Sequence, residues 1–298
     1  MGLNLHKYIN FNNKKLSVKF FNQRLPFIYI LFNFFYRLIK VNSKIDDNEM
    51  IEFHKFGFKK INISLKNEIN EFKDKFFLKT NIDNKKKIPI ELNDEDRKKF
   101  IIKIKNKLKP IILKLEKYFN CDCLVTDVSM WRNLRHDDKD NLNQEHYANH
   151  FHQDSYLMTY SKIHVNLMDI SNKDGPLEII PITKRSNFVK SFKYKDRHDY
   201  HPYGDENLII RNTGKLGDCF LFSSSQLFHR AGVPEKYRDM MQIIIVTTPR
   251  KNFKEIIDFN EEELLRNKYS YFQKFTKPYS IIKVIELFFI HLRYKLYG

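Results

Sequence analysis

The stretch GDCFLFSSSQLFHRAGVPEKYRDMMQIIIVTTP, residues 217–249, decides the fold that we predict for this chain. It begins with a glycine turn, continues as the apolar run DCFLFSS, passes through a polar loop and ends in the β-branched run MQIIIVTT. Short β-branched and aromatic runs with such breaks are typical of antiparallel strands. We therefore predict two strands here, with His229 at the exit of the first and Arg238 at the entry of the second.

Similar short runs precede this stretch: CLVTDVSMWRNL, KIHVNLMDI, LEIIPI and NLIIRNT. Five of the eight glycines lie between residues 175 and 232, where strands must turn. No helical segments alternate with these runs, which disfavours a parallel βαβ sheet. We predict a mainly β fold with α additions, in which residues 120–250 form a double-stranded β-helix, a jelly roll of the cupin-like type.

The residues outside this β region show helical patterning. Within 92–119, apolar residues recur at three- and four-residue steps behind Asn93 as N-cap, and we expect Pro110 to kink the helix. The tail from Ser280 to Tyr297 has a broad apolar side and a basic side. We predict a single domain over 1–298: a mainly helical part at 1–119, the jelly-roll core at 120–250 and a helical segment at 251–298.

Charge and cysteine content narrow the class of protein. Lys and Arg number 53 against 36 Asp and Glu, a formal net charge of +17. This charge is spread along the chain without a basic stripe of interleaved aromatics, so we expect no specific nucleic-acid binding. Cys121, Cys123 and Cys219 form no C-x-x-C pair, which indicates a reducing compartment and a cytoplasmic protein.

A strongly apolar segment runs from Leu25 to Ile39. It has 15 residues and contains Asn33 and Arg37, so it is shorter than the roughly 20 apolar residues that span a bilayer. We expect a packed helix. Peripheral contact with a membrane surface is the alternative for this segment and for the basic C-terminal tail.

A His-x-Asp pair can supply two metal ligands from one strand, because residues i and i+2 point the same way. Roughly one His-x-acid match is expected by chance in a chain of this composition, and this chain contains HDD at 136–138 and HQD at 152–154. We interpret the first, in the polar run RHDDKDNLNQE, as a solvated loop. The second precedes the apolar run KIHVNLMDI and is the better ligand pair. For His150, on the same strand face, we expect a neighbouring polar role or exposure.

Four motifs together resemble the phytanoyl-CoA dioxygenase family. In order, they are HQD at 152–154, NKDGPLEIIPITKRS at 172–186, Gly217-Asp218, and His229 followed by Arg238. The resemblance covers roughly residues 120–250, and the motifs keep the family's order and similar spacings. It implies an Fe(II)-dependent dioxygenase that consumes 2-oxoglutarate and O2, releases succinate and CO2, and hydroxylates an organic substrate.

The resemblance also implies roles for single residues. Arg238 would pair with the distal carboxylate of 2-oxoglutarate, because its planar guanidinium matches a carboxylate bidentately. Arg230 is the alternative for this role. His164 falls where the family often has a cosubstrate-contacting residue, although a core or hydrogen-bonded histidine is an equally good interpretation. Three residues would bind the iron: His152, Asp154 and His229.

Substrate and partners are less constrained. The polar region 185–215 is expected to be a lid, its His198 and His201 being exposed loop residues. Its basic residues favour an anionic small molecule or a carrier-linked substrate such as an acyl-CoA. A catalytically inactive or non-oxygenase metal-binding jelly roll is one alternative function. A basic protein that binds a membrane surface is the other.

Overall fold

The structure is a computed structural model that describes residues 47–79, 86–119, 123–136, 146–154, 161–192 and 205–247, with two short strands at 9–10 and 15–16. Several features that we singled out in the sequence lie outside these residues. They are the apolar segment 25–39, the tail 280–297, Cys121, Asp137, Asp138, His198 and His201.

Four α-helices and twelve strands make up the described part of the chain. The helices are α1 (Asn48–Phe56), α2 (Lys66–Phe72), α3 (Asp94–Phe119) and α4 (Arg185–Phe192). The strands are β1 (Ile9–Asn10), β2 (Lys15–Leu16), β3 (Phe58–Ser64), β4 (Phe77–Leu78), β5 (Lys87–Glu91), β6 (Cys123–Leu134), β7 (Ser161–Asn166), β8 (Leu177–Ile180), β9 (Ile210–Asn212), β10 (Asp218–Phe222), β11 (Phe228–Ala231) and β12 (Tyr237–Thr247).

Two antiparallel sheets form the jelly roll. The large sheet has seven strands in the order β3-β10-β7-β12-β6-β5-β4, and the small sheet has three in the order β11-β8-β9. The leucine, isoleucine and phenylalanine side chains that pack between the sheets are Leu177, Ile179, Phe220, Phe222 and Leu227. The predicted mainly β, double-stranded β-helix fold is confirmed.

Strand register separates the two faces of the large sheet. Ile243 on β12 is paired with Val128 on β6 and Ile163 on β7, and these residues belong to the core beneath the helices. The next residue, Gln242, is paired with Ser129 and His164. Because successive residues of a strand point to opposite faces, this second set faces the small sheet. One face of the sheet is therefore apolar and the interior face is polar.

Helix α3 covers the apolar face. The Asn93 side chain accepts a hydrogen bond from the Asp96 backbone N–H (2.8 Å), which caps the helix as the sequence predicted. Pro110 lies inside the helix. Apolar residues at three- and four-residue steps, from Phe100 to Leu115, are buried against the sheet. The helical pattern in the sequence thus marks the side of α3 that packs on the strands.

The N-terminal part of the chain contributes strands as well as helices. β3 pairs with β10 and β5 pairs with β6, so both complete the large sheet. The sequence predicts a mainly helical part at residues 1–119, whereas the large sheet extends across that boundary. Likewise, 185–215 contains α4 and β9 in addition to loop. Assignment of the whole chain to one domain stays a prediction.

No helix in the described ranges is both long enough and apolar enough to cross a membrane. The outer side of α3 carries mostly charged residues, which is typical of a helix that covers a sheet.

Replacing Leu108 with alanine should strongly destabilise the fold. The Leu108 side chain is 0% exposed in the core between α3 and the sheet, and a buried Leu→Ala change costs about 2–5 kcal/mol. Leu113→Ala is the matched control, because Leu113 on the same helix is 53% exposed, and surface changes usually stay within about 0.5 kcal/mol. Urea denaturation measures both free energies of unfolding, and equal losses would contradict this packing of α3.

Candidate metal centre

Backbone pairing brings His152 and His229 together. Each donates its N–H to the carbonyl of the other, at 3.0 Å, in an isolated antiparallel bridge. The Asp154 N–H donates to the carbonyl of Ser224 (3.0 Å), in the serine loop between β10 and β11. His229 lies within β11 of the small sheet, so our prediction that it ends the preceding strand was wrong. Between Phe222 and Phe228 the chain passes from the large sheet to the small sheet. This crossing places His229 opposite the His-x-Asp segment.

The three side chains converge on one point inside the barrel. Asp154 Oδ1 lies 3.5 Å from His152 Nε2, and Asp154 Oδ2 lies 3.1 Å from His229 Nε2. One ligand atom from each residue can be chosen so that all lie within 4.8 Å of one another. Ligands bonded to one metal at about 2.1 Å and at right angles lie about 3 Å apart. The donor set therefore fits one divalent metal ion.

Both imidazoles are prepared for metal binding. The Nδ1–H of His152 donates to the carbonyl of His150 (2.7 Å), which leaves the Nε2 lone pair towards the cluster. Burial lowers the pKa of His229 to about 4, although Asp154 acts in the opposite direction. His229 is therefore neutral at pH 7, as a metal ligand must be.

The Asp154 carboxyl is ionised in spite of its surroundings. Burial raises its pKa, but the charge of Lys162 and the two imidazoles together outweigh burial, so the pKa lies well below its usual value. Lys162 Nζ lies 2.5 Å from Asp154 Oδ2. The centre thus offers two imidazole nitrogens and one anionic oxygen, the ligand set that non-haem Fe(II) oxygenases use.

Arg238 lies on the interior face of β12 and is 2% exposed. Its Nη1 donates to the carbonyl of Gly175, whereas Nε and Nη2 are buried without a hydrogen-bond partner in the described structure. Burial lowers its pKa to about 10, so it stays charged at pH 7. The residue opposite on β6, Asn133, is also buried, and neither polar atom of its side chain has a partner there. Unused buried donors of this kind indicate a ligand site.

Arg230 points away from this site. It follows His229 on β11, so its side chain lies on the outer face of the small sheet. There it pairs with Glu178 (2.6 Å) and lies over the Phe151 ring at 4.7 Å. Of the two arginines that the sequence left open, Arg238 alone faces the interior.

His164 lies on the interior face of β7. Its Nε2 donates to Gln242 Oε1 (3.3 Å), and its ring makes an edge contact with Phe222. Burial, with Lys162 and Arg238 adding to it, holds its pKa well below the usual value. His164 is thus a hydrogen-bonded neutral histidine in the barrel interior, and its contact with a cosubstrate stays a prediction.

Two other histidines differ from our expectations. His136, which we placed in a solvated loop, is buried against His146 and Tyr147, with ring centroids 4.9 and 5.1 Å away. His150 is buried too, so exposure was wrong, and its carbonyl has the polar role of accepting from His152. His136 is buried because the chain returns after the polar run and packs His146 and Tyr147 against it, which the polar context of the motif does not show.

Sequence reasoning missed two interior residues, Asn133 and Lys162, and one exposed residue that lines the neighbouring cavity, Lys87. The Lys87 ammonium lies 3.8 Å from the centre of the Trp131 ring. Lys162 could have been found, because it precedes His164 by two residues and shares its strand face. Lysine is so common in this chain that Lys87 carried no comparable signal.

A cavity of about 400 Å³ lies where β5 separates from β6. Lys87, Asp127 and Trp131 line it, together with apolar residues from α3. Gln242 lies on the same cavity and hydrogen-bonds His164, so the cavity adjoins the barrel interior. It is large enough for a small organic molecule.

A His-x-Asp pair and a distant histidine inside a double-stranded β-helix define a mononuclear non-haem iron oxygenase. The phytanoyl-CoA dioxygenase (PhyH) family matches residues 63–233. The chain therefore belongs to the phytanoyl-CoA dioxygenase family, and it is a 2-oxoglutarate-dependent iron enzyme.

The solved structures named below are similar to the chain at low sequence identity. No curated protein sequence matches the chain. Among solved structures, HygX from Streptomyces hygroscopicus with nickel and 2-oxoglutarate bound is 13% identical, with a TM-score of 0.45, over 69% of this chain and 88% of that one. The non-haem α-ketoglutarate-dependent epimerase SnoN from nogalamycin biosynthesis is 11% identical, with a TM-score of 0.42, over 67% and 82%. EctD from S. alaskensis with bound Fe is 12% identical, with a TM-score of 0.41, over 70% and 79%.

The metal-free protein should lose stability as the pH falls from about 6.5 towards 4. His229 stays neutral in the folded state down to its pKa of about 4, whereas in the unfolded chain it takes up a proton near 6.5, which favours unfolding by up to about 3 kcal/mol. Urea denaturation at several pH values measures this slope. His229→Gln should flatten it, and an unchanged slope in that variant would contradict the assignment.

Proposed function

We propose that His152, Asp154 and His229 hold Fe(II), and that Arg238 binds the distal carboxylate of 2-oxoglutarate. The convergence of two imidazoles and one carboxylate, together with a buried arginine that has unused donors on the same interior face of the barrel, is the observation that carries this proposal. When bound, Fe(II) and 2-oxoglutarate together activate O2 for oxidation of the substrate, with release of succinate and CO2.

The chain's own residues supply position and shielding. Arg238 Nε and Nη2 can bind a carboxylate bidentately, and Asn133 offers an amide on the same face of the sheet. Phe222 makes edge contacts with the rings of both His164 and His229, at 4.9 and 5.2 Å. A buried aromatic wall of this kind keeps water away from the reacting centre.

We infer that the substrate is a small organic molecule with an anionic group, free or carried on a larger anionic carrier. Four cations, Lys87, Arg97, Lys162 and Arg238, face the barrel interior or line its cavity, against the three carboxylates Glu91, Asp127 and Asp154. With Fe(II) bound, the interior and its cavity would carry a surplus of about three positive charges, of which the 2-oxoglutarate dianion balances two, and the remainder favours an anionic substrate. We also propose that the reaction is a hydroxylation. The protein would carry it out in the cytoplasm, with or without peripheral contact with a membrane.

Anaerobic addition of Fe(II) and 2-oxoglutarate to the metal-free protein tests the proposal. The native protein should develop the weak visible charge-transfer absorption of the iron chelate, and His229→Ala should not, because it lacks one of three ligands. An absence of absorption in the native protein, with both compounds in excess, would contradict the proposed function.

Arg238→Met should raise the dissociation constant for 2-oxoglutarate roughly 10- to 100-fold, since a hydrogen bond to a charged group contributes about 1.5–3 kcal/mol. Arg230→Met is the matched control. Arg230 pairs with Glu178 on the outer face, so this variant should lose stability but keep its affinity for 2-oxoglutarate. Titration of the absorption band measures both constants. If Arg230→Met weakened 2-oxoglutarate binding and Arg238→Met did not, Arg230 would be the residue that binds the cosubstrate.

A further inference from the structure

The large sheet has a gap between β5 and β6. β5 pairs with β6 through residues 87–89, and its last two residues, Ile90 and Glu91, pair with β4 instead. Within the described residues, β6 therefore has no neighbouring strand on this side from Met130 back to Cys123. The cavity of about 400 Å³ lies in this gap.

Side chains from both faces of the sheet line this cavity. Val128 and Met130 belong to the apolar face, where they pack against the core beneath α3. Ser129 and Gln242 are paired on the interior face, and Gln242 accepts a hydrogen bond from His164 there. A cavity bordered by both faces must pass through the sheet. It therefore connects the space beneath α3 with the barrel interior, in which the candidate metal centre lies.

The α3 side of the cavity is apolar except for Arg97. Phe100 and Ile101 on α3 line it together with Met130 on β6, so the apolar part of a ligand would be removed from water there. Arg97 lies one helical turn before Ile101 and lines the same cavity. Among the described residues, the Arg97 side chain forms no hydrogen bond. An apolar pocket with one polar group at its end fixes the orientation of a small molecule.

The charges on the cavity favour one more anion. Burial raises the pKa of Asp127, whereas a hydrogen bond and the charges of Arg97, of a lysine at the metal centre and of Lys87 act in the opposite direction. Glu91, the other carboxylate on the cavity, pairs with Lys79 (3.3 Å). Arg97 and Lys87 thus face one remaining carboxylate, and a ligand with a single negative charge would balance these two cations.

We propose that the cavity binds the substrate as a free carboxylic acid: its carboxylate pairs with Arg97, and its apolar body lies in the gap between β5 and β6. This inference rests on the proposed function, and it narrows the substrate to a compact monoanion. The end opposite the carboxylate points through the sheet into the barrel interior, where it is oxidised. A cavity of about 400 Å³ is near the lower limit for small-molecule pockets, so it has no room for a carrier.

Fluorescence of the metal-free protein tests binding directly, because Trp131 lines the cavity and is the only tryptophan of the chain. Octanoate should change the Trp131 emission until the site is saturated. Octanamide, which has a similar shape without the charge, should bind roughly 10- to 100-fold more weakly, because it cannot form a charged hydrogen-bonded pair. Arg97→Met should weaken octanoate binding by a similar factor and leave octanamide binding unchanged.

Matched variants separate the cavity from the surface of α3. Lys99→Met is the control for charge, because Lys99 pairs with Glu95 on the exposed side of the same helix (2.6 Å). Ile101→Phe, which fills part of the cavity, should weaken octanoate binding, whereas Ile102→Phe should not, because Ile102 is 46% exposed. Thermal unfolding checks that each variant folds, and Arg97→Gln is used if Arg97→Met does not.

Equal affinities for octanoate and octanamide, or unchanged octanoate binding in folded Arg97→Met, would overturn this inference. The fluorescence titration needs neither iron nor 2-oxoglutarate, so its result is independent of the proposed function. In the native protein loaded with both under anaerobic conditions, octanoate should shift the visible absorption of the chelate, and no shift at saturation would show that the cavity is not the substrate site. If no chelate absorption develops, the proposed function fails, and the substrate role of the cavity fails with it even where octanoate binds.

Discussion

The backbone bridge between His152 and His229 is the constraint on which the site depends. Directly opposed residues of an antiparallel pair place their side chains on the same face, so both imidazoles point into the barrel. The serine loop holds the Asp154 backbone in the same way. The ligand geometry is therefore built from main-chain hydrogen bonds.

Burial of charge shapes the chemistry of the interior. Asp154 is ionised because cations and hydrogen bonds compensate its burial, and His229 is neutral because its own burial dominates. Arg238 keeps its charge, with two donor nitrogens unused. The polar face can carry these groups because α3 and the apolar face beneath it supply the stabilising core. Stability and function thus use opposite faces of one sheet.

The sequence predicts some strands well and others poorly, for local reasons. β6 was recognised in full because it contains Val125, Thr126, Val128 and Trp131 and no glycine or proline. β5, with sequence KIPIE, contains Pro89, which normally argues against a strand, and it lies near the edge of the sheet where proline is tolerated. About half of the residues of β3 are polar, and β3 forms the opposite edge of the large sheet. Edge strands lack the two buried faces that produce a clear signal.

The sequence by itself determined the class of chemistry, because four motifs in order resemble one family. The apolar run that follows residues 152–154 favoured that His-x-Asp pair over the one at 136–138. The tertiary structure decided which side chains face the candidate metal centre. Register and sheet pairing turn Arg238 inward and Arg230 outward, and they bring Lys162 to Asp154. Such choices depend on which strands pair, which no local pattern contains.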